Sequence, residues 1–254
     1  MKCIVCIKQV PDVSAPIQIR EGALVFDTGR MVLNAYDASA VEEMLVLTEK
    51  VGGETDVVLV GPDKGKETIR KALAMGADRG HHILVDEGAT FDARSYAAML
   101  AAYFEGAEYD VIACGKQSQD TDAGLTGAML AALLDLPYAT NAVALDVDAD
   151  ASKLIVTRQG DTGEEIIELP MPCLVTCSND MNDPRIPNIK GIMQSKRKPI
   201  ETMEGSGPEE AAPATRVVAY ESIPERQAGP KLEGDPDDLA RQLVDRLIHE
   251  AKVL

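Results

Sequence analysis

Between Lys2 and Leu134 short apolar runs alternate with stretches of helical period, and no other feature narrows the possible folds as far. Lys2 to Ile7, Asp56 to Val60, His82 to Val85 and Asp110 to Cys114 read as buried strands of a sheet interior. A helix is expected to open at Ser39, which has capping-box spacing to Glu42, to bury Val41, Met44, Leu45 and Thr48, and to stop at Gly52-Gly53. A second spans about Lys64 to Met75 and closes at Gly76; a third spans about Phe91 to Glu105, with Ala93, Tyr96, Ala97, Leu100 and Phe104 on one face. A fourth, carried by Leu125, Met129, Ala132 and Leu133, runs to Leu134. Strict alternation of strand and helix requires a mainly parallel sheet covered on both faces, a doubly wound α/β domain. Ligands of such sheets bind outside the carboxyl ends of strands, so the loops after Ile7, Val60 and Cys114 share one rim.

The loop after Cys114 has the most pointed chemistry. Gly115, Lys116, Gln117, Ser118, Gln119, Asp120, Thr121, Asp122, Ala123, Gly124, Leu125 and Thr126 join a buried strand to a helix N-terminus, whose free N–H groups and positive dipole end suit a phosphate. Gly124 and Gly127 would let a ligand approach the backbone. On spacing alone the alternative stands equally: Asp120 or Asp122 caps the helix and Lys116 is solvated.

Outside that core the pattern is irregular. Lys8 to Asp12 reads as a loop, with Pro11 stopping further pairing, and residues 13–33 are turn-rich, with turns at Glu21-Gly22 and Thr28-Gly29. Beyond Pro137, Lys153 to Arg158 and Glu165 to Leu169 alternate around Gly160-Asp-Thr-Gly163 as a β-hairpin, and Cys173 to Cys177 is another strand. Asp183 to Gly191 is too rich in Pro for a regular element and leads to the basic cluster Lys196, Arg197, Lys198. Beside Ile186 and Ile189 this cluster is either a docking surface or a solvated helix end. Residues 201–232 should not pack on their own. A helix from Pro236 to Ala251 then aligns Leu239, Leu243, Leu247 and Ile248, to embrace a partner or to fold back. Two parts are therefore expected, 1–200 and 201–254.

The net charge of −17 and the 4% aromatic content exclude nucleic acid as a partner. No apolar run reaches the ~20 residues of a membrane span, and a cytoplasmic protein without membrane insertion is expected. The five cysteines are scattered through apolar strands as core thiols; Cys3 and Cys6, three apart, face opposite sides of a strand, and no metal-ligand constellation forms. No G-x-G-x-x-G follows the first strand, and Gly61-Pro-Asp-Lys-Gly-Lys-Glu67 lacks both the spacing and the hydroxyl of a P-loop. His81, His82 and His249 accompany no nucleophile, and no catalytic residue is nominated.

Several blocks in order resemble the electron transfer flavoprotein β-subunit family across essentially the whole chain: Lys8-Gln-Val-Pro-Asp12, Leu33 to Glu43, Glu67 to Gly80, Cys114-Gly-Lys-Gln117, and Asp183-Pro-Arg185 with Gly191-Ile-Met193. The resemblance implies a Rossmann-like domain with a C-terminal arm wrapped on a larger α subunit that carries the redox-active FAD. It places adenine-nucleotide contacts at Cys6, Asn34, Ala35, Tyr36, Asp37, Val60 and Gly115 to Thr126, with Tyr36 facing the partner's flavin. It also implies a recognition loop at about 182–198, anchored by Ile189, that docks an acyl-CoA-type dehydrogenase, with a quinone oxidoreductase downstream. Ala35 and Lys190 stand where the family commonly has Pro. Thr126 and Arg79 match AMP-binding members, so structural AMP and no catalysis by this subunit are expected; Gly124-Leu125 departs from both patterns. The alternatives are an electron-bifurcating subunit with a second FAD that oxidises NADH, and a stand-alone adenine-nucleotide sensor.

Overall fold

Every residue is described by the computed structural model except 17, 26–29, 149, 151, 206–211, 222–223, 225–227 and 254. In chain order the elements are β1 (Lys2–Ile7), β2 (Gln9–Pro11), β3 (Gln18–Arg20), β4 (Ala23–Val25), β5 (Met31–Leu33), α1 (Ala35–Val51), β6 (Glu54–Gly61), α2 (Gly65–Met75), β7 (Gly80–Leu84) and α3 (Ala93–Phe104). They continue with β8 (Val111–Gly115), α4 (Thr126–Leu133), β9 (Tyr138–Val147), β10 (Lys153–Gly160), β11 (Gly163–Pro170), β12 (Cys173–Cys177), α5 (Ile189–Ser195), β13 (Ile200–Glu204) and α6 (Pro236–His249).

Among the described residues, one sheet of nine strands runs in the order β11-β10-β9-β12-β8-β1-β6-β7-β13. From β9 to β13 every neighbouring pair is parallel; β10 and β11 add an antiparallel hairpin at one edge. This is the expected doubly wound α/β fold. Alternation along β1 sends Cys3, Val5 and Ile7 to one face, where α1 and α2 bury Val41, Met44, Leu47, Ile69 and Leu73. It sends Ile4 and Cys6 to the other, where α3 and α4 bury Ala97, Leu100, Phe104 and Leu130. All five cysteines are buried and free, and Cys3 and Cys6 occupy opposite faces as their spacing requires. The chain passes from β1 through β6 and β7 on one side, then crosses to β8 on the other. The order therefore reverses between β1 and β8, and the carboxyl ends of these two strands are where open α/β sheets place a ligand crevice.

Several boundaries differ from the sequence expectation, each because a distant partner decides them. Helix α1 begins at Ala35, not Ser39; Ser39 and Glu42 lie buried inside it, and Glu42 accepts the Arg185 guanidinium at 2.8 Å instead of closing a capping box. Gln9 to Pro11 is not a loop but a short strand paired with β5, since Pro11 ends the ladder and need not donate within it. Strand β9, missed in the sequence, runs beside β12 and carries the hairpin. Helix α5 starts within the Pro-rich stretch because the Asn188 side chain caps it, accepting from the Gly191 N–H at 2.8 Å. Residues 200–204 form the parallel edge strand β13, so the boundary drawn at 200 falls at the start of a sheet strand.

The Glu21-Gly22 turn is present, with both residues at positive φ between β3 and β4. The turn expected at Thr28-Gly29 lies outside the described residues. The chain divides into two compact units, Met1–Ala219 and Tyr220–Leu254. Within the second, Asp235 caps α6 through the N–H groups of Asp237 and Asp238, and none of its residues is buried. No helix among the described residues is long and apolar enough to cross a membrane.

Candidate functional site

The switch point between β1 and β8 is bridged by one carboxyl group. Asp37, in the first turn of α1, is buried and accepts the Lys8 N–H at 2.7 Å through Oδ2 and the Gly115 N–H at 3.0 Å through Oδ1. These are the first backbone donors beyond β1 and at the end of β8, so Asp37 ties the two strands where the sheet reverses. Burial pushes its carboxyl up to about 7, although the two N–H donors and Asn34 pull the other way. Gly115 is required here: a Cβ would meet Asp37 Oδ1, and would lie 2.7 Å from Tyr36 Cβ and 2.9 Å from the Asp37 nitrogen.

Asn34 is the second bracket. It is buried, its Nδ2 donates to the Gln117 carbonyl at 2.9 Å, and its Oδ1 accepts the Gln119 N–H at 3.1 Å. Gln119 returns the bond, its Oε1 accepting the free N–H of Ala35 at 3.1 Å, and so caps α1 from a residue far along the chain. The loop also braces itself. The Ser118 N–H donates to the Ala123 carbonyl, Ser118 Oγ meets Thr121 Oγ1 at 2.9 Å, and Gln117 Nε2 donates to Asp122 Oδ1 at 2.9 Å. Asp122 takes a positive φ that lets the turn close. The Lys116 N–H is fixed to the Cys177 carbonyl, and its ammonium stands 5.9 Å from the centre of the Tyr36 ring.

The expected residues thus converge. Asn34, Ala35, Tyr36 and Asp37 form one wall; Gly115 to Thr126 form the other; Cys6 and Val60 lie buried at the carboxyl ends of β1 and β6. Burial raises the Cys6 thiol well above the ordinary thiol range, so it lines the site as an apolar group. Thr126 opens α4, which has no side-chain cap, and Gly127 lets that helix end sit against Thr176 and Cys114. A polar loop leading to a helix N-terminus without a side-chain cap could hold a phosphate-bearing ligand, while Gly124 lets the loop pack on itself, its Cβ position lying 3.2 Å from the Lys116 carbonyl.

Two members escaped sequence reasoning. The Lys8 ammonium lies 2.8 Å from Asp120 and 3.4 Å from Ser118 Oγ, and stands 5.6 Å from the centre of the Tyr96 ring. Burial and the Asp120 charge together raise the Tyr96 phenol. Lys8 stood in the sequence only as the residue after a buried strand and the first of the Lys8-Gln-Val-Pro-Asp12 block, with no site role given to it.

The second group of expected residues lies elsewhere. Ile186 and Ile189 are 91% and 79% exposed, so neither is a core residue, and Lys196 and Arg197 are exposed with them. Lys198 is different: its ammonium donates to the carbonyls of Leu73, Gly76 and Ala77 at 3.2, 2.9 and 2.6 Å, closing the C-terminus of α2. Reciprocally, Arg70 of α2 donates to the carbonyls of Ser195 and Lys198. At its other end the segment is pinned to α1 by Arg185, which binds Glu42 and Glu49, and by Asn182, which donates to the Ser39 carbonyl and to Glu43. Apolar tips are thus displayed on a segment clamped at both ends.

Residues 23–206 match the family model described as electron transfer flavoprotein domain. The chain is 34% identical to the electron transfer flavoprotein subunit beta of Bacillus subtilis, over all of both proteins. It is 32% identical to the protein of the same name from Syntrophomonas wolfei, over 100% of this chain and 98% of that one. It is 33% identical to the caffeyl-CoA reductase-Etf complex subunit CarD of Acetobacterium woodii, over 97% and 98%.

Proposed function

This chain belongs to the electron transfer flavoprotein β-subunit family, and from that premise we propose that it is an electron-carrier subunit that binds AMP structurally at the β1/β8 crevice. Family membership implies an α-subunit partner. The electron-accepting and electron-donating chemistry belongs to the FAD of that partner, and AMP contributes none.

In this reading Cys6 and Val60 floor the nucleotide site. Asn34, Ala35, Tyr36 and Asp37 wall it, and the donors between Gly115 and Thr126 that the loop's own bonds leave over would take the phosphate. The observation that carries it is the clasp at Asp37, which sets a glycine and a donor-rich loop at the point where the strand order reverses. Its rigidity also suits electron transfer, since a stiff domain keeps the surroundings of a neighbouring flavin fixed. Ile186 and Ile189 would enter an apolar pocket on a dehydrogenase of the acyl-CoA type, with Lys196 and Arg197 steering encounter by charge. Lys198 serves the mounting of the loop instead. The electrons would leave for a quinone-linked acceptor.

A second reading places FAD where AMP is proposed and makes the complex an NADH-oxidising enzyme. The similarity to a subunit of the caffeyl-CoA reductase-Etf complex favours it. One experiment separates the two: co-express the chain with its α subunit, denature the purified complex and count released nucleotides. One FAD and one AMP are expected. Two FAD and no AMP would replace the first reading by the second.

A further inference from the structure

Resting on the proposed nucleotide site, the geometry points to Lys8 as a positioning residue that neutralises Asp120, so that the loop after β8 can accept an anionic ligand. Lys8 follows β1, and its backbone N–H is fixed by Asp37, so the base of its side chain is immobile. The ammonium binds both Asp120 oxygens, at 2.9 and 2.8 Å, and reaches Ser118 Oγ at 3.4 Å. The face of Tyr96 stands beside it, so this is not a freely solvated surface pair; the Lys8 and Asp120 side chains are only 27% and 21% exposed.

The charge balance explains why such a pair is needed. With Asp37 held by the two N–H donors at the base, the loop after β8 carries Asp120 and Asp122 against Lys116, with Lys8 beside it, in a chain whose net charge is −17. Of the two lysines, Lys116 stacks toward Tyr36, leaving Lys8 to answer Asp120. The N–H groups left over from the loop's internal bonds, toward Thr126, would meet a phosphate, but an unpaired carboxylate on the same loop would repel it. With Lys8 in place Asp120 is both neutralised and tied back toward β1. Lys8 therefore acts through Asp120, without touching the ligand.

The test uses the assembled complex with its α subunit, stripped of nucleotide, and AMP titrated by calorimetry. Lys8→Met should weaken AMP binding about tenfold, the effect of roughly one nearby uncompensated charge. Lys8→Met with Asp120→Asn should return to within about threefold of the unaltered complex, because the repelling charge is gone. The Lys8→Met defect should also shrink as salt rises, which a merely misfolded loop would not show. A double variant as weak as Lys8→Met would mean that Lys8 meets the ligand itself or only props the loop, and would overturn the inference. Should Lys8→Met fail to assemble, Asp120→Asn alone decides: equal or tighter binding is expected, and binding weakened more than threefold refutes it. An unaltered complex that binds no AMP would instead sink the nucleotide reading beneath it.

Discussion

Replacing Asp37 by Asn tests the clasp at the centre of the fold. The carboxyl stands at about 7 in the folded chain against an ordinary 3.8, chiefly because it is buried. The folded state thus holds the proton more tightly than the unfolded one. A carboxyl raised in this way contributes its full stability only below about pH 3.8, and loses it as pH rises toward 7. A rise from 3.8 to about 7 corresponds to about 4 kcal/mol between pH 4 and pH 8. Asparagine does not titrate, and its amide nitrogen would face either the Lys8 or the Gly115 N–H, donor against donor. That mismatch costs about 1–3 kcal/mol at every pH. Urea unfolding of both proteins at several pH values isolates the group, since other titrations are common to the two. The advantage of Asp37 over Asn should be largest near pH 4 and shrink by up to about 4 kcal/mol by pH 8. A difference that stays flat across that range, or widens with pH, would show that hydrogen bonding outweighs burial and that Asp37 is an ordinary ionised carboxylate.

Gly115→Ala should destabilise by about 1–3 kcal/mol in the same assay, because its Cβ would strike the backbone of α1, whereas Gly106→Ala, with nothing within 4 Å, should stay near neutral. Ile189→Glu alters an exposed side chain and should leave stability within about 0.5 kcal/mol, yet slow electron acceptance from the dehydrogenase with nucleotide content unchanged; an unaltered rate would remove the docking role. Asp92→Asn should speed tryptic cleavage at Arg216, since Oδ2 holds the N–H groups of Ala214 and Thr215 while Oδ1 caps α3. Those bonds depress the Asp92 carboxyl, so this tether is present above the ordinary carboxylate range and is lost only as pH falls through the depressed value. Equal cleavage rates at neutral pH would count against it.

What was legible in the sequence follows from how far each determinant lies from its effect. Strands β1, β6, β8 and β12 were readable because burial on both faces makes them continuous apolar runs. The helix ends at Gly52 and Gly76 were readable because a local backbone conformation sets them. The start of α1 was not, since Ala35 is capped by Gln119, and the capping-box pattern at Ser39 and Glu42 is a coincidence of two buried residues serving other partners. Strand β13 was hidden because its residues are mostly exposed at the sheet edge and their composition matches the arm that follows. The site was half legible. The loop from Gly115 to Thr126 announced itself by composition, while Lys8 acquires its role only when β1 and β8 lie side by side.

The two surfaces proposed to be functional are mounted by different physics. The crevice depends on a few buried polar groups, Asp37 and Asn34, each satisfied by backbone donors or acceptors from residues distant in sequence. Loss of one leaves a buried donor unpaired and is felt throughout the loop. The apolar tips depend on an exchange of cations between helix ends, Lys198 onto α2 and Arg70 onto the end of α5, with Arg185 holding the entry to α1. Those bonds fix where Ile186 and Ile189 point without placing either in the core, so the tips can change while the mounting stays. Substitutions at positions 186 and 189 therefore cost little stability, as the proposed docking role would require of residues that set partner preference. The same freedom is denied to Gly115, Asn34 and Asp37, where fold and site are one set of hydrogen bonds.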